Sequence, residues 1–179
     1  MNKPVLLLLT AFLAFALPAS ARAETFLLYI EELKDGEAAP PPLPSLEGVM
    51  AGMFDLGHIF FDTGAYVPEF VWETRQFREL LGIARAGGAH FLAAAQVLSQ
   101  VLPPAQGGGS DGSARGFAEV RARARYYLLN VETSALMGQG ELALDNCGRE
   151  QELTYEALLF QVGEMTARQI SRLWEAGRS

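Results

Sequence analysis

Cysteine and histidine are scarce in this sequence of 179 residues. Cys147 is the only cysteine, so no disulfide can form within the chain and the fold depends on its hydrophobic core. Only two histidines are present, His58 and His90, and neither has the second nearby histidine that multi-histidine zinc motifs require. No serine lies in a Gly-x-Ser-x-Gly motif, and no histidine lies near Cys147 in the sequence. We therefore predict no catalytic residue and no cofactor, and we expect Cys147 to be buried and inert.

Basic residues are outnumbered by acidic ones. The first 23 residues hold two of the 14 basic residues and none of the 21 acidic ones, so the rest of the chain carries a net charge of −9. Such a charge repels nucleic acid and anionic lipid, and we predict neither as a partner. The glycine-rich stretches also lack nucleotide-binding motifs. Residues 107–112 are not followed by Lys-Ser/Thr, and Gly138 and Gly140 lack the third glycine of a dinucleotide fingerprint, so a linker and a turn are predicted there.

The first 23 residues have the pattern of a secretory signal peptide. Lys3 supplies the positive start, residues 5–17 are apolar apart from Thr10, and Ala21-Arg22-Ala23 is a small-x-small cleavage pattern. Cleavage before Glu24 would leave a chain of residues 24–179 in the bacterial periplasm or outside the cell. The apolar run is short for a transmembrane helix, and no cysteine follows it to carry a lipid. We expect no membrane anchor after cleavage, and the sequence does not indicate an oligomeric state.

The remaining pattern predicts one α/β domain, with a mixed sheet of about five strands packed by three helices. Predicted strands cover 25–33, 58–62, 90–102, 119–135 and 141–146, and predicted helices follow Ser45 as N-cap and cover 77–85 and 154–176. A proline-rich connector spans 34–44, a Gly/Ser-rich loop spans 106–116, and Gly138-Gln139-Gly140 is predicted as a turn. The first helix has an apolar face that includes Phe54. Its other face holds Gly48, Ala51 and Gly52, which indicates that another backbone approaches closely.

Three groups of residues are candidates for a functional site. Asp55, His58 and Asp62 form the only histidine–carboxylate cluster, which could hold a metal if the three converge, although a solvated helix end and a strand-edge histidine are favoured. Arg121, Arg123 and Arg125 alternate onto one strand face, where they either bind an acidic partner or are neutralised by the domain's own acidic residues. A third group either contacts a partner or caps the sheet: Tyr66, Phe70 and Trp72.

The order of these segments resembles a periplasmic α/β domain superfamily. It comprises the amino-terminal domain of TolB, the curli-secretion lipoprotein and the lipoprotein activators of penicillin-binding proteins. The segments that carry the resemblance are TFLLYIEE, LEGVMAGMFDLGHIFFDTG, LLGIARAGGAHFLAAAQV and ARYYLLNVETSALMGQGELALD. It implies that residues 90–102 form a strand, although Phe91, Ala95, Leu98 and Leu102 recur at helical spacing. Members of the family are often lipid-anchored or joined to a second domain, and this sequence has neither the lipidation cysteine nor the second domain.

Together these features predict an exported, non-enzymatic protein-binding module that assists the assembly or regulation of envelope machinery, with an envelope protein as partner. Two alternatives stay open. One is a small metal-dependent or hydrolytic periplasmic enzyme that uses Asp55, His58 and Asp62, and the other is a carrier of a small ligand.

Overall fold

The computed structural model describes residues 24–64, 77–102, 119–145 and 154–178. In these ranges the chain forms six strands and three helices. In chain order they are β1 (Thr25–Lys34), β2 (Glu37–Ala38), α1 (Pro44–Asp55), β3 (Ile59–Asp62), α2 (Arg78–Ala86), β4 (Phe91–Leu102), β5 (Glu119–Asn130), β6 (Leu136–Asp145) and α3 (Tyr155–Ala176). In the same ranges, no helix is long and apolar enough to cross a membrane.

The strands form one mixed sheet in the order β2-β1-β4-β5-β6. Strand β3 pairs with the first residues of β1, on the same edge as β2, which pairs with its last residues. Strands β1, β3 and β4 are parallel to one another, whereas β4, β5 and β6 run antiparallel. The predicted α/β fold, with one mixed sheet and three helices, is therefore confirmed, and β2 is the strand that the sequence pattern did not reveal.

Helices cover both faces of this sheet. Alternate residues of β1 point in opposite directions, so that Phe26 and Leu28 pack with α1 and α3 while Leu27 and Tyr29 pack with α2. The apolar side of α3 contributes Leu158, Val162 and Ile170 to the larger cluster. Thr154 caps the helix, because its Oγ1 accepts a hydrogen bond from the Ala157 N–H at 3.2 Å.

Residues 91–102 form a strand, as the resemblance implies. Strand β4 lies between β1 and β5 in the sheet, and helices cover both of its faces at Phe91–Ala95, which are all buried. A strand that is buried on both faces needs apolar residues at every position, so the alternation typical of a half-exposed strand is missing. For this reason the run Ala93-Ala94-Ala95 has a composition that is also typical of a helix.

Two local predictions are wrong. Helix α1 begins at Pro44 rather than after Ser45, since proline is suited to the first helical position, and the Ser45 side chain donates a hydrogen bond to Glu32 Oε2 at 2.6 Å instead. Gly138 and Gly140 lie inside β6 rather than in a turn. A Cβ on Gly138 would lie 2.7 Å from Leu173 Cδ2, and one on Gly140 would overlap the Tyr126 side chain, so glycine here makes room for neighbouring side chains.

The close backbone approach predicted for the small residues of α1 is confirmed. A Cβ on Gly48 would overlap the carbonyl oxygen of Phe160, and one on Gly52 would lie 2.7 Å from Ala167 Cβ. On the other helix, a Cβ on Gly163 would overlap the Ser45 carbonyl oxygen and lie 2.8 Å from the Val49 nitrogen. Glycines on both helices thus let the backbones of α1 and α3 come into contact.

Candidate functional site

The three arginines of β5 lie on one exposed sheet face, as their alternation predicts. Arg121 and Arg125 are paired with the chain's own carboxylates, since the Nε of each lies 2.7 Å from Glu119 and Glu141 respectively. The hydrogen bond from Arg125 holds the pKa of the Glu141 carboxyl below its ordinary value, and the charge of Arg123 lowers it further. The charges at the two ends of the row are therefore largely compensated.

Arg123 differs from its two neighbours. Its cross-strand positions hold Leu98 on β4 and Ala143 on β6 instead of carboxylates. In the described part of the chain it forms no ion pair within 4.0 Å. An acidic group of a partner could therefore contact Arg123 without displacing an existing ion pair.

Asp55, His58 and Asp62 are not brought together. Asp55 ends α1 and Asp62 ends β3, and both are exposed. His58 precedes β3, so about 13 Å of extended chain separates it from Asp62. Among the described residues, no group of three or more histidine, cysteine or acidic side chains could hold a metal ion.

His58 is a core residue rather than the strand-edge histidine favoured above. It is 9% exposed, and its ring makes edge contacts with Phe26 and Trp174 at centroid distances of 4.8 and 5.0 Å. Its Nε2 is 3.0 Å from Ser171 Oγ on α3. Burial lowers the pKa of His58, and the charge of Glu175 opposes that effect. These contacts point the ring inward, away from a reactant at the surface.

The turn between α1 and β3 carries an apolar patch that the sequence pattern did not reveal. Phe54 is 74% exposed, Leu56 44% and Ile59 52%. The predicted apolar face does pack, since Val49 and Met53 are buried along with Gly48 and Gly52, but the place of Phe54 on that face is wrong because its side chain is exposed. We name Phe54, Leu56 and Ile59 the corner patch. It borders β3, which pairs only with β1 in the described part of the chain.

Several predicted residues lie outside the described residues. These are Ala21 and Ala23 of the cleavage pattern, the aromatic residues Tyr66, Phe70 and Trp72, and Cys147. Glu24, the expected first residue after cleavage, is described, and its Oε2 lies 3.3 Å from Nδ1 of the exposed His90.

Comparison with known proteins gives matches among solved structures only. No protein-family model matches the sequence, and no curated protein matches it. A PelC dodecamer from Paraburkholderia phytofirmans is similar at 16% identity and a TM-score of 0.45, over 87% of this chain and 91% of that chain. TolB from Acinetobacter baumannii is similar at 13% identity and a TM-score of 0.44, over 87% of this chain but 29% of its own. The LpoB C-terminal domain from Salmonella enterica is similar at 13% identity and a TM-score of 0.34, over 76% of this chain and 92% of that chain.

TolB, whose amino-terminal domain is part of the resemblance drawn from the sequence, is among these structures. At these identities the similarity lies in the arrangement of strands and helices.

Proposed function

We propose that this chain is an exported, non-enzymatic protein-binding module of the cell envelope, and that the corner patch is its docking surface. The amino-terminal pattern of residues 1–23 supports export. The corner patch carries the binding proposal, because three of the five large apolar side chains exposed among the described residues lie within six positions of one another there. Clustered exposed apolar side chains mark interaction surfaces, whereas single ones are ordinary.

Strand β3 suggests the form in which a partner binds. With one edge paired to β1, its other edge offers backbone N–H and C=O groups to an extended segment in the described structure. Apolar side chains of that segment would cover Phe54 and Ile59. The partner that fits is an envelope protein with an exposed, extended apolar segment.

Site-specific crosslinking tests this proposal. A photoreactive phenylalanine analogue is placed at Phe54 and, as a control, at Leu136, which is 47% exposed on β6. In cells that produce the full chain, we expect one reproducible protein adduct at position 54 and none at 136.

Substitutions then measure the contribution of the patch. Burial of a phenylalanine side chain contributes about 1.5–3 kcal/mol, so Phe54→Asp is expected to weaken binding of the crosslinked partner at least tenfold. Leu136→Asp is the matched control and should leave partner binding unchanged. Both substitutions are at the surface, so both variants should unfold at the same denaturant concentration as the parent. Equal adducts at both positions, or full partner recovery by Phe54→Asp, would contradict the proposal.

A further inference from the structure

A gap in the edge of the sheet creates a cleft. On the outer edge of β1, β3 pairs with Thr25–Leu28 and β2 pairs with Leu33–Lys34. The chain after β2 still reaches Glu32, whose carbonyl oxygen accepts a hydrogen bond from the Ala39 N–H at 2.8 Å. Among the described residues no strand pairs with residues 29–31 at this edge, a stretch of about 10 Å. A cleft of about 440 Å³ lies there, between β1, the chain after β2, α1 and the end of β3. This volume is within the range of small-molecule sites.

Apolar side chains supply most of the walls of this cleft. The sheet contributes Leu28 and Ile30, and α1 contributes Leu46 and Met50. The prolines that precede α1 close one side: Pro41 and Pro42. An organic ligand with a hydrocarbon part would therefore lose water-exposed apolar surface on entering.

The charged residues that line the cleft in the described part of the chain are all acidic: Glu31, Glu32, Glu47 and Asp62. The Glu31 carboxylate accepts a hydrogen bond from Gln96 Nε2 at 2.7 Å. The ammonium group of Lys34, the basic residue closest in sequence, lies over the Tyr155 ring, 4.7 Å from its centroid. The amino terminus of α1 contributes roughly half a positive charge, which is small against four carboxylates.

Glu32 is the one buried residue among these four. Glu32 is 3% exposed. Its Oε2 accepts hydrogen bonds from the Ser45 N–H at 3.2 Å and from the Ser45 hydroxyl at 2.6 Å. Within the described structure, no hydrogen bond reaches its other oxygen. A largely buried carboxylate that can still accept a hydrogen bond favours a cationic donor.

We propose that this cleft binds a small organic cation of the alkylammonium class. The ammonium group donates to the free oxygen of Glu32, and the hydrocarbon chain lies along Ile30, Leu46 and Met50. The cleft adjoins the first half of α1 and the corner patch follows its end, so this proposal does not rest on the proposed function.

Titration with three ligands of equal length tests the charge requirement. The protein isolated from cells is titrated with hexylammonium, hexan-1-ol and hexanoate, and binding is followed by calorimetry and by NMR shifts of Met50. We expect saturable binding of hexylammonium, at least tenfold weaker binding of hexanol and no binding of hexanoate. Equal binding of hexanol, or no saturable binding of hexylammonium, would overturn the proposal.

Three variants test the location. Glu32→Gln removes the charge but keeps a carbonyl oxygen that can accept from Ser45, and it should weaken hexylammonium binding at least tenfold. Ala39→Trp fills the cleft from its half-buried wall and should abolish binding. Glu156→Gln, on the exposed side of α3, is the matched control and should leave binding unchanged. If Glu32→Gln fails to fold, Ala39→Trp decides the location, and full binding by Ala39→Trp would refute it.

Discussion

Replacement of Gly48 by alanine tests whether the contact between α1 and α3 determines stability. In an open helix this change stabilises by about 1 kcal/mol, because alanine has the higher helix propensity. Here the new Cβ would overlap the Phe160 carbonyl oxygen and lie 3.1 Å from the Glu164 nitrogen. Both are backbone atoms of α3, which cannot rotate away as a side chain can, so the helices must separate.

The two effects can be compared in size. Overpacking of a core typically costs 1–3 kcal/mol, and occasionally more, so a backbone clash should outweigh the propensity gain and leave a net loss of about 2 kcal/mol. For a domain of this size, that loss lowers the melting temperature by roughly 4–8 °C. The matched control is Gly82→Ala on the exposed side of α2, where a Cβ would meet nothing within 4 Å. This variant should gain about 1 kcal/mol.

Urea unfolding followed by far-ultraviolet circular dichroism measures both variants. We expect opposite shifts of the midpoint with the same dependence on urea concentration, since neither change alters the surface exposed on unfolding. A Gly48→Ala protein as stable as the parent would show that the helices are not in backbone contact.

Two further predictions concern His58 and Thr154. Burial lowers the pKa of His58 below its ordinary value of 6.5, so the unfolded chain takes up a proton there before the folded chain does. The stability that His58 contributes should be complete above pH 6.5 and decrease as the pH falls toward its folded pKa; urea unfolding of His58→Phe should lack this component, and an unchanged pH profile would contradict the assignment. Thr154→Ala removes the acceptor that caps α3 and should cost about 1 kcal/mol in urea unfolding, whereas Thr154→Ser, which keeps the hydroxyl, should cost less. Equal losses in the two Thr154 variants would show that the hydroxyl is not the cap.

Element types were predictable wherever one periodic pattern dominated. The apolar stripe of α3 has this property, and so does the alternation of buried and exposed residues in the first half of β5. Each of these segments is apolar on one side only. In β4 that condition fails, since both faces are covered, and the strand followed from the resemblance rather than from the local pattern. The turn predicted at Gly138 and Gly140 is wrong for a different reason. Their role depends on Leu173 and Tyr126, which the sequence does not place beside them.

The candidate sites were less predictable than the elements. The arginine row is predictable because strand alternation is a local property. The neutralisation of the Arg125 charge is not, because it depends on Glu141, which lies on another strand. The corner patch was missed because Phe54 fits the apolar spacing of α1, and only the packing of Gly48 and Gly52 shows which face is buried. The cleft depends on where β2 and β3 stop pairing with β1, which is a property of register.

Both proposed sites depend on the position of α1. Its first half forms one wall of the cleft, and its last residues begin the corner patch. Gly48, Gly52 and Gly163 let this helix lie against α3, and the hydrogen bonds from Ser45 to Glu32 hold its start against β1. A substitution that separates the helices should therefore weaken both sites together, whereas Glu32→Gln and Phe54→Asp should each affect one. Because the cleft and the corner patch share no residue, ligand in the cleft should leave partner affinity at the corner patch unchanged.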